Sequence, residues 1–91
     1  MNRNYLMKVI NHFGLSNQLK KLNEEVFELT EAILTDVGDE ESLEHIKEEY
    51  SDVSLVLNEI KEYFEIGYFE DVLPRMNYKL DRTLKRIEEE K

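Results

Sequence analysis

The sequence predicts an all-α fold, an antiparallel helical hairpin preceded by a short helix and followed by a basic one. Apolar residues recur at alternating spacings of three and four: Leu19, Leu22, Val26, Leu29 and Ile33, then Leu43, Ile46, Tyr50, Val53, Leu57, Ile60 and Phe64. That is the period of one helical face. No stretch shows the two-residue alternation of a half-buried strand. The glycines at 14, 38 and 67 and the single proline at 74 fall between the periodic stretches, where a helical chain needs its breaks.

Residues 4 to 12 form the first helix, with Tyr5, Leu6, Val9 and Ile10 on its apolar side, and Gly14 ends it. Ser16 is a plausible N-cap for the first arm, which runs to about Leu34. The turn is Thr35 to Glu41, with Gly38 supplying backbone freedom, and Ser42 is placed to cap the second arm, which runs to about Glu65. A turn of helix at 69 to 72 precedes a last helix over 74 to 89, with Pro74 in its first turn, where a missing N–H costs nothing. Pairing Ile33 with Ile46, Leu29 with Tyr50, Val26 with Val53 and Leu22 with Leu57 folds the arms about residue 39 or 40.

The 91 residues suffice for one domain, spanning 1–91. Helices this long in so small a chain leave apolar surface that a second copy would cover, so a homo-oligomer is expected. With 21 acidic against 12 basic residues, the net charge is −9. This argues against nucleic acid as a partner, because binding its backbone depends on positive charge. The absence of cysteine rules out disulfides and thiolate sites. Met1 to Gly14 is too short and too polar for a signal peptide, and no apolar run approaches the ~20 residues of a membrane span. The expectation is a cytoplasmic protein that uses no membrane.

Two acid pairs are distinguished by their register. Glu25 and Glu28 in the first arm, and Glu49 and Asp52 in the second, are each one turn apart, and each acid lies one residue before an apolar seam position. The pairing places Glu25 opposite Asp52 and Glu28 opposite Glu49, within about 3 Å along the axis. Four crowded carboxylates repel one another and raise one another's pKa; a divalent cation removes the conflict. Oxygen ligands without cysteine or histidine suit Mg²⁺ or Mn²⁺ better than Zn²⁺. His45 lies on the acidic flank near the turn and is set aside as a ligand. In the last helix Arg75, Lys79, Arg82 and Arg86 form a basic stripe beside the apolar Met76, Leu80, Leu84 and Ile87. Acids with a cation on one side and bases on the other are what a triphosphate needs.

Residues 18 to 29 (QLKKLNEEVFEL), with 48 to 53 (EEYSDV), resemble the MazG-like all-α nucleoside triphosphate pyrophosphohydrolases. Their signature is ExxE, a linker, then ExxD; here the linker is 20 residues, 29 to 48. Residues 78 to 87 (YKLDRTLKRI) look like the last helix of the small single-domain members, and the resemblance spans roughly 12 to 88. It implies hydrolysis of an NTP or dNTP to the monophosphate and pyrophosphate, with Glu25, Glu28, Glu49 and Asp52 as metal-binding and catalytic residues. It implies that Lys79 and Arg82, and less directly Arg86, bind the β and γ phosphates, and that the chain forms a dimer or tetramer with a base pocket partly shared between subunits. Phe13, Asn17 and Gln18, with His12, are the candidates to meet the base, one aromatic ring to stack and amides to read an edge.

Three alternatives compete: the related phosphoribosyl-ATP pyrophosphatases share the acid pattern, though residues 78 to 87 favour the MazG-like resemblance, and two others are not enzymes. The acid pairs read in isolation are a solvated helix face, and the whole chain read without them is a non-enzymatic helical interaction module. The module explains the seams and the length, but neither the matched acid pairs nor the segregated basic stripe. A di-iron carboxylate bundle requires Glu-x-x-His, and positions 9 and 42, three before His12 and His45, are Val and Ser.

Overall fold

A computed structural model describes residues 1–90, and among them the structure is helical with no strand. α1 spans Arg3–Phe13, α2 Leu15–Leu34, α3 Glu40–Tyr63 and α4 Leu73–Glu89, with a π-helical segment, Tyr68–Val72, leading into α4. Among the described residues no helix is long and apolar enough to cross a membrane.

Each boundary has a local cause. Asn2 opens α1 by accepting the amides of Asn4 and Tyr5 on its Oδ1, at 2.8 and 3.3 Å. Gly14 stands at φ +88°, in the left-handed region where a side chain is strained, and it alone separates α1 from α2. The Asn17 amide donates to the last carbonyl of α1, Phe13, at 2.8 Å and so ties the two helices across the break. Ser16 therefore does not cap α2: that helix already begins at Leu15, with Gly14 ahead of it and no side-chain cap. The cap of α3 also differs from expectation. Asp39, not Ser42, is the N-cap, and its Oδ1 accepts the Ser42 amide at 2.8 Å. An acidic cap suits the positive end of a helix better than a hydroxyl does. Gly38, at φ +82°, lets the chain turn back in the short loop ahead of it. At the far end of α3, Glu65 takes a left-handed conformation (φ 55°) and the Ile66 amide reaches back to the Lys61 carbonyl at 2.9 Å. This is a helix-terminating motif that glycine usually occupies.

α2 and α3 pack against each other more extensively than any other pair of elements. Their chains run in opposite directions: Gln18 near the start of α2 meets Glu59 near the end of α3, and Glu25 further along meets Glu49 and Asp52. The seam between them is rotated from the expected one. Leu22, Leu29, Ile46, Val53 and Ile60 are turned inward, but Gln18, Glu25, Ala32, Glu49 and Val56 take the alternate positions, and Leu19, Val26, Ile33, Leu43, Tyr50, Leu57 and Phe64 remain exposed. Both stripes satisfy the three-and-four spacing and share those inward residues; at the alternate positions they differ by one residue, about 100° of helical rotation there. α1 selects between them. It lies across α3 and α2, burying Leu6 and Ile10 and covering the side that carries Lys21, Leu55 and Glu59. The other side of the pair is an open apolar ridge.

α4 stands apart. Among the described residues the one helical element it packs against is the π-helical segment that leads into it, and every described residue from Pro74 onward is exposed. The radius of gyration is 16.5 Å, against about 12 Å for a compact domain of this length.

The core that fixes α1 on the helix pair is small, with Ile10 and Val56 each 1% exposed. Ile10→Ala should cost about 2–5 kcal/mol, a large share of the stability of a domain this size. Thermal melts and α1 amide exchange check it: α1 should exchange at the rate of unprotected helix while α2 and α3 remain helical at low temperature.

Candidate functional site: a carboxylate cluster in the α2–α3 seam

Glu25, Glu49 and Asp52 each place a carboxylate oxygen within 4.8 Å of the other two. Glu25 and Glu49 occupy seam positions, half-buried between the helices, while Asp52 is exposed at the edge. Glu28 stands one turn beyond Glu25 on the same edge as Asp52 and neighbours Glu49. Val26 and Tyr50, one residue after Glu25 and Glu49, are rotated about 100° to the opposite side, so the pair has an acidic flank and an apolar one.

The seam positions have an electrostatic consequence. Burial, followed by the charges of Glu28, Asp52 and Glu49, holds the Glu25 carboxyl above the usual carboxylate range, and Lys21, one turn before it, only partly opposes this. Burial also raises Glu49, as do its hydrogen bond with Glu28 and the charges of Glu28 and Asp52. One oxygen on each of these two residues, Glu25 Oε2 and Glu49 Oε2, is fully buried and has no hydrogen-bond partner. A buried acceptor without a donor or cation is costly. The donor set is all carboxylate oxygen, which fits a hard divalent cation such as Mg²⁺ or Mn²⁺. His45, set aside from the sequence, stands one helical turn before Glu49 with Nδ1 3.9 Å from Oε1; helical spacing of four brings it to the edge of the cluster.

Phe13, Asn17 and Gln18 are brought to the same place. With Lys20, Lys21, Glu24 and Glu25 they line an open cleft of about 470 Å³ beside the cluster. Phe13 presents an exposed ring, held edge-on to His12 at 4.8 Å between centroids. The Asn17 amide is engaged with the Phe13 carbonyl. Gln18 is buried, with its amide nitrogen donating to Glu59 Oε1, so its first role is to bridge the helices. Lys21 and Lys20 are the cations that line this cleft, and the sequence signal for Lys21 was its place four residues before Glu25. Glu59 gave no such signal, because its burial depends on where α1 lies.

Lys79, Arg82 and Arg86 are not brought to the cluster within one chain, because α4 packs on neither α2 nor α3. Lys79 lines a separate groove with Phe64, Ile66 and Met76, and Arg82 lies over the Tyr78 ring, 5.8 Å from its centroid. The charge pattern of α4 is evident in the sequence, but among the described residues α4 packs on neither of the helices that carry the acids.

The raised pKa values set the sign of a pH effect. Glu25 and Glu49 bind protons more tightly folded than unfolded, so their contribution to stability is full below the ordinary carboxylate range and is lost as pH rises through the folded values. Asp39, held low by its hydrogen bonds with Ser42, acts oppositely, its contribution being lost as pH falls through its lowered value. The metal-free protein should therefore gain thermal stability as pH falls through the raised values of Glu25 and Glu49, before losing it in more acid solution. Both Glu49→Gln and millimolar Mg²⁺ should raise the midpoint at pH 7 by a few °C and flatten that slope. Melts across pH in EDTA and in Mg²⁺ check this; a wild-type midpoint that falls steadily below pH 7 in EDTA would contradict it. No protein-family model, curated protein or solved structure matches this chain.

Proposed function

We propose that this protein is a metal-dependent nucleoside triphosphate pyrophosphohydrolase of the MazG-like kind, acting as a homo-oligomer. The observation that carries the reading is the pair of buried, unpartnered carboxylate oxygens of Glu25 and Glu49 at the centre of the acid cluster. A helix pair stabilised only by its own packing gains nothing from acids at those seam positions, whereas a cation-binding site needs them there.

Glu25, Glu28, Glu49 and Asp52 would hold Mg²⁺ or Mn²⁺. A divalent cation bound there supplies charge neutralisation for a triphosphate and for the pyrophosphate that leaves. Phe13, at the mouth of the adjoining cleft, offers a face for stacking a base, and Asn17 and Gln18 offer their amide carbonyls. Lys20 and Lys21 contribute positive charge along the cleft wall. In the reaction a water oxygen bonds to the α-phosphorus, the bond from the α-phosphorus to the α–β bridging oxygen breaks, and the bridging oxygen departs with pyrophosphate. Glu28, on the exposed edge beside Glu49, would accept the proton of that water.

A helical interaction module is the second reading, and the open ridge from Leu19 to Ile33 and from Leu43 to Phe64 favours it. The same ridge is also the surface through which two enzyme subunits would pair, so it does not separate the readings; turnover does.

Incubation with a panel of NTPs and dNTPs should release monophosphate and pyrophosphate with Mg²⁺ or Mn²⁺ and none with EDTA. Glu49→Gln should lower turnover at least ~100-fold, the scale of losing one electrostatic stabiliser, with the far-UV helical signal unchanged. Phe13→Ala should raise KM more than it lowers kcat. No release from any nucleotide, together with no metal binding by calorimetry, would leave the interaction module.

A further inference from the structure

We propose that the cleft beside the acid cluster selects a nucleobase with an exocyclic amine, cytosine or adenine, over its oxo counterpart, uracil or hypoxanthine, and that Glu59 sets this preference by fixing the orientation of the Gln18 amide. The inference rests on the nucleotide reading for its ligand and on hydrogen-bond polarity for its substance.

A side-chain amide presents either its carbonyl or its N–H groups to a ligand, and its other partners decide which. Glu59, which has no task in the proposed reaction, decides it for Gln18. Gln18 in the first turn of α2 and Glu59 near the end of α3 are 4% and 3% exposed, and Gln18 Nε2 donates to Glu59 Oε1. A carboxylate oxygen accepts and does not donate. Reversing the amide would set carbonyl against carboxylate away from water, which is costly. The Gln18 carbonyl oxygen is thereby turned away from Glu59. Gln18 lines the cleft, and among the described residues no group donates to that oxygen. The fully buried oxygens without a partner are those of Glu25 and Glu49, so the Gln18 oxygen is open to the cleft.

Asn17 repeats the polarity. Its Nδ2 donates to the Phe13 carbonyl at 2.8 Å, another group that accepts and does not donate, so Oδ1 is the atom left for a ligand. Two neighbouring amides thus present oxygen rather than nitrogen beside the exposed Phe13 ring. The side-chain cations that line the cleft are Lys20 and Lys21, one turn before Glu24 and Glu25. Ammonium groups are flexible point charges suited to phosphate. A base stacked on Phe13 therefore meets acceptors along its edge. The amine of cytosine or adenine brings two N–H groups to them. Uracil and hypoxanthine place a carbonyl oxygen at that position, with a single N–H beside it, and set acceptor against acceptor.

The test uses pairs of nucleotides that differ in this swap: dCTP against dUTP, and dATP against dITP. Their α,β-imido analogues, which resist cleavage at that bridge, are titrated into the full-length protein with Mg²⁺ by calorimetry, and kcat/KM is measured with the natural nucleotides. The amino member of each pair should bind about tenfold more tightly or better, the scale of a hydrogen bond made with one base and denied to the other. Equal or tighter binding of the oxo member, or no binding of either, overturns the proposal. Glu59→Gln replaces an obligate acceptor with a group that also donates, frees the Gln18 amide to reverse, and should bring both ratios close to one. The swap Gln18→Glu/Glu59→Gln should restore the preference, because the amide then donates from α3 and the carboxylate on α2 keeps an oxygen in the cleft. A merely structural role for Glu59 predicts no such recovery. Full discrimination in a Glu59→Gln protein that keeps its helical signal, or a folded swap without preference, overturns the role of Glu59. Should Glu59→Gln fail to fold, the wild-type pairs and the swap decide. The two readings fail separately. Selective binding without pyrophosphate release from any nucleotide removes the hydrolase reading and keeps the selectivity. Metal-dependent release that is indifferent to the amine removes the selectivity and keeps the hydrolase reading.

Discussion

The confinement of carboxylates to the seam between α2 and α3 is the constraint on which the rest of this structure depends. Helix pairs normally fill such positions with leucine or valine. Here Glu25 and Glu49 stand there, half-buried, each with one oxygen that lacks a donor. Their mutual repulsion opposes the packing of the two longest helices. What holds the pair together lies to either side along the seam: Gln18 bridging to Glu59 at one end, Leu29, Ala32 and Ile46 at the other, and α1 packed on both helices. The fold therefore resembles a clamp whose ends are satisfied and whose middle is charged. The charged middle is a local conflict with packing that the satisfied ends offset.

The rotation of the seam ties this local chemistry to an exposed apolar surface. Moving the acids inward by one residue position moves Leu19, Val26, Ile33, Tyr50 and Leu57 outward. The same 100° step thus creates a half-buried acid cluster and an apolar ridge on the far side. A chain that buried the ridge within its own pair would expose the acids to water, where repulsion is screened and a cation is held loosely. Acid burial and exposed apolar surface are two consequences of one register.

Much of this was legible in the sequence. The helices, their order and their breaks follow from periodicity and from Gly14, Gly38 and Pro74, because those signals are local. The proximity of Glu25 to Asp52 and of Glu28 to Glu49 follows from pairing two amphipathic stretches across one turn. The caps were less legible: Ser16 and Ser42 have the chemistry of caps, but Gly14 and Asp39 lie where the backbone changes direction. His45 was discounted by its distance along the chain from the acids as a group, although a single turn separates it from Glu49.

The sequence by itself determined the helices, the acid pairs that face each other and the segregation of basic charge into the last of those helices, because each is written in spacings of three and four along one segment. Only the tertiary structure decided which of two adjacent stripes became the seam, that Gln18 and Glu59 were buried together, and that α4 left its own chain's acids uncovered. These depend on where α1 lies and on the direction the chain takes after Glu65. Both are set by contacts between segments distant in sequence, and no periodicity within a single helix records them.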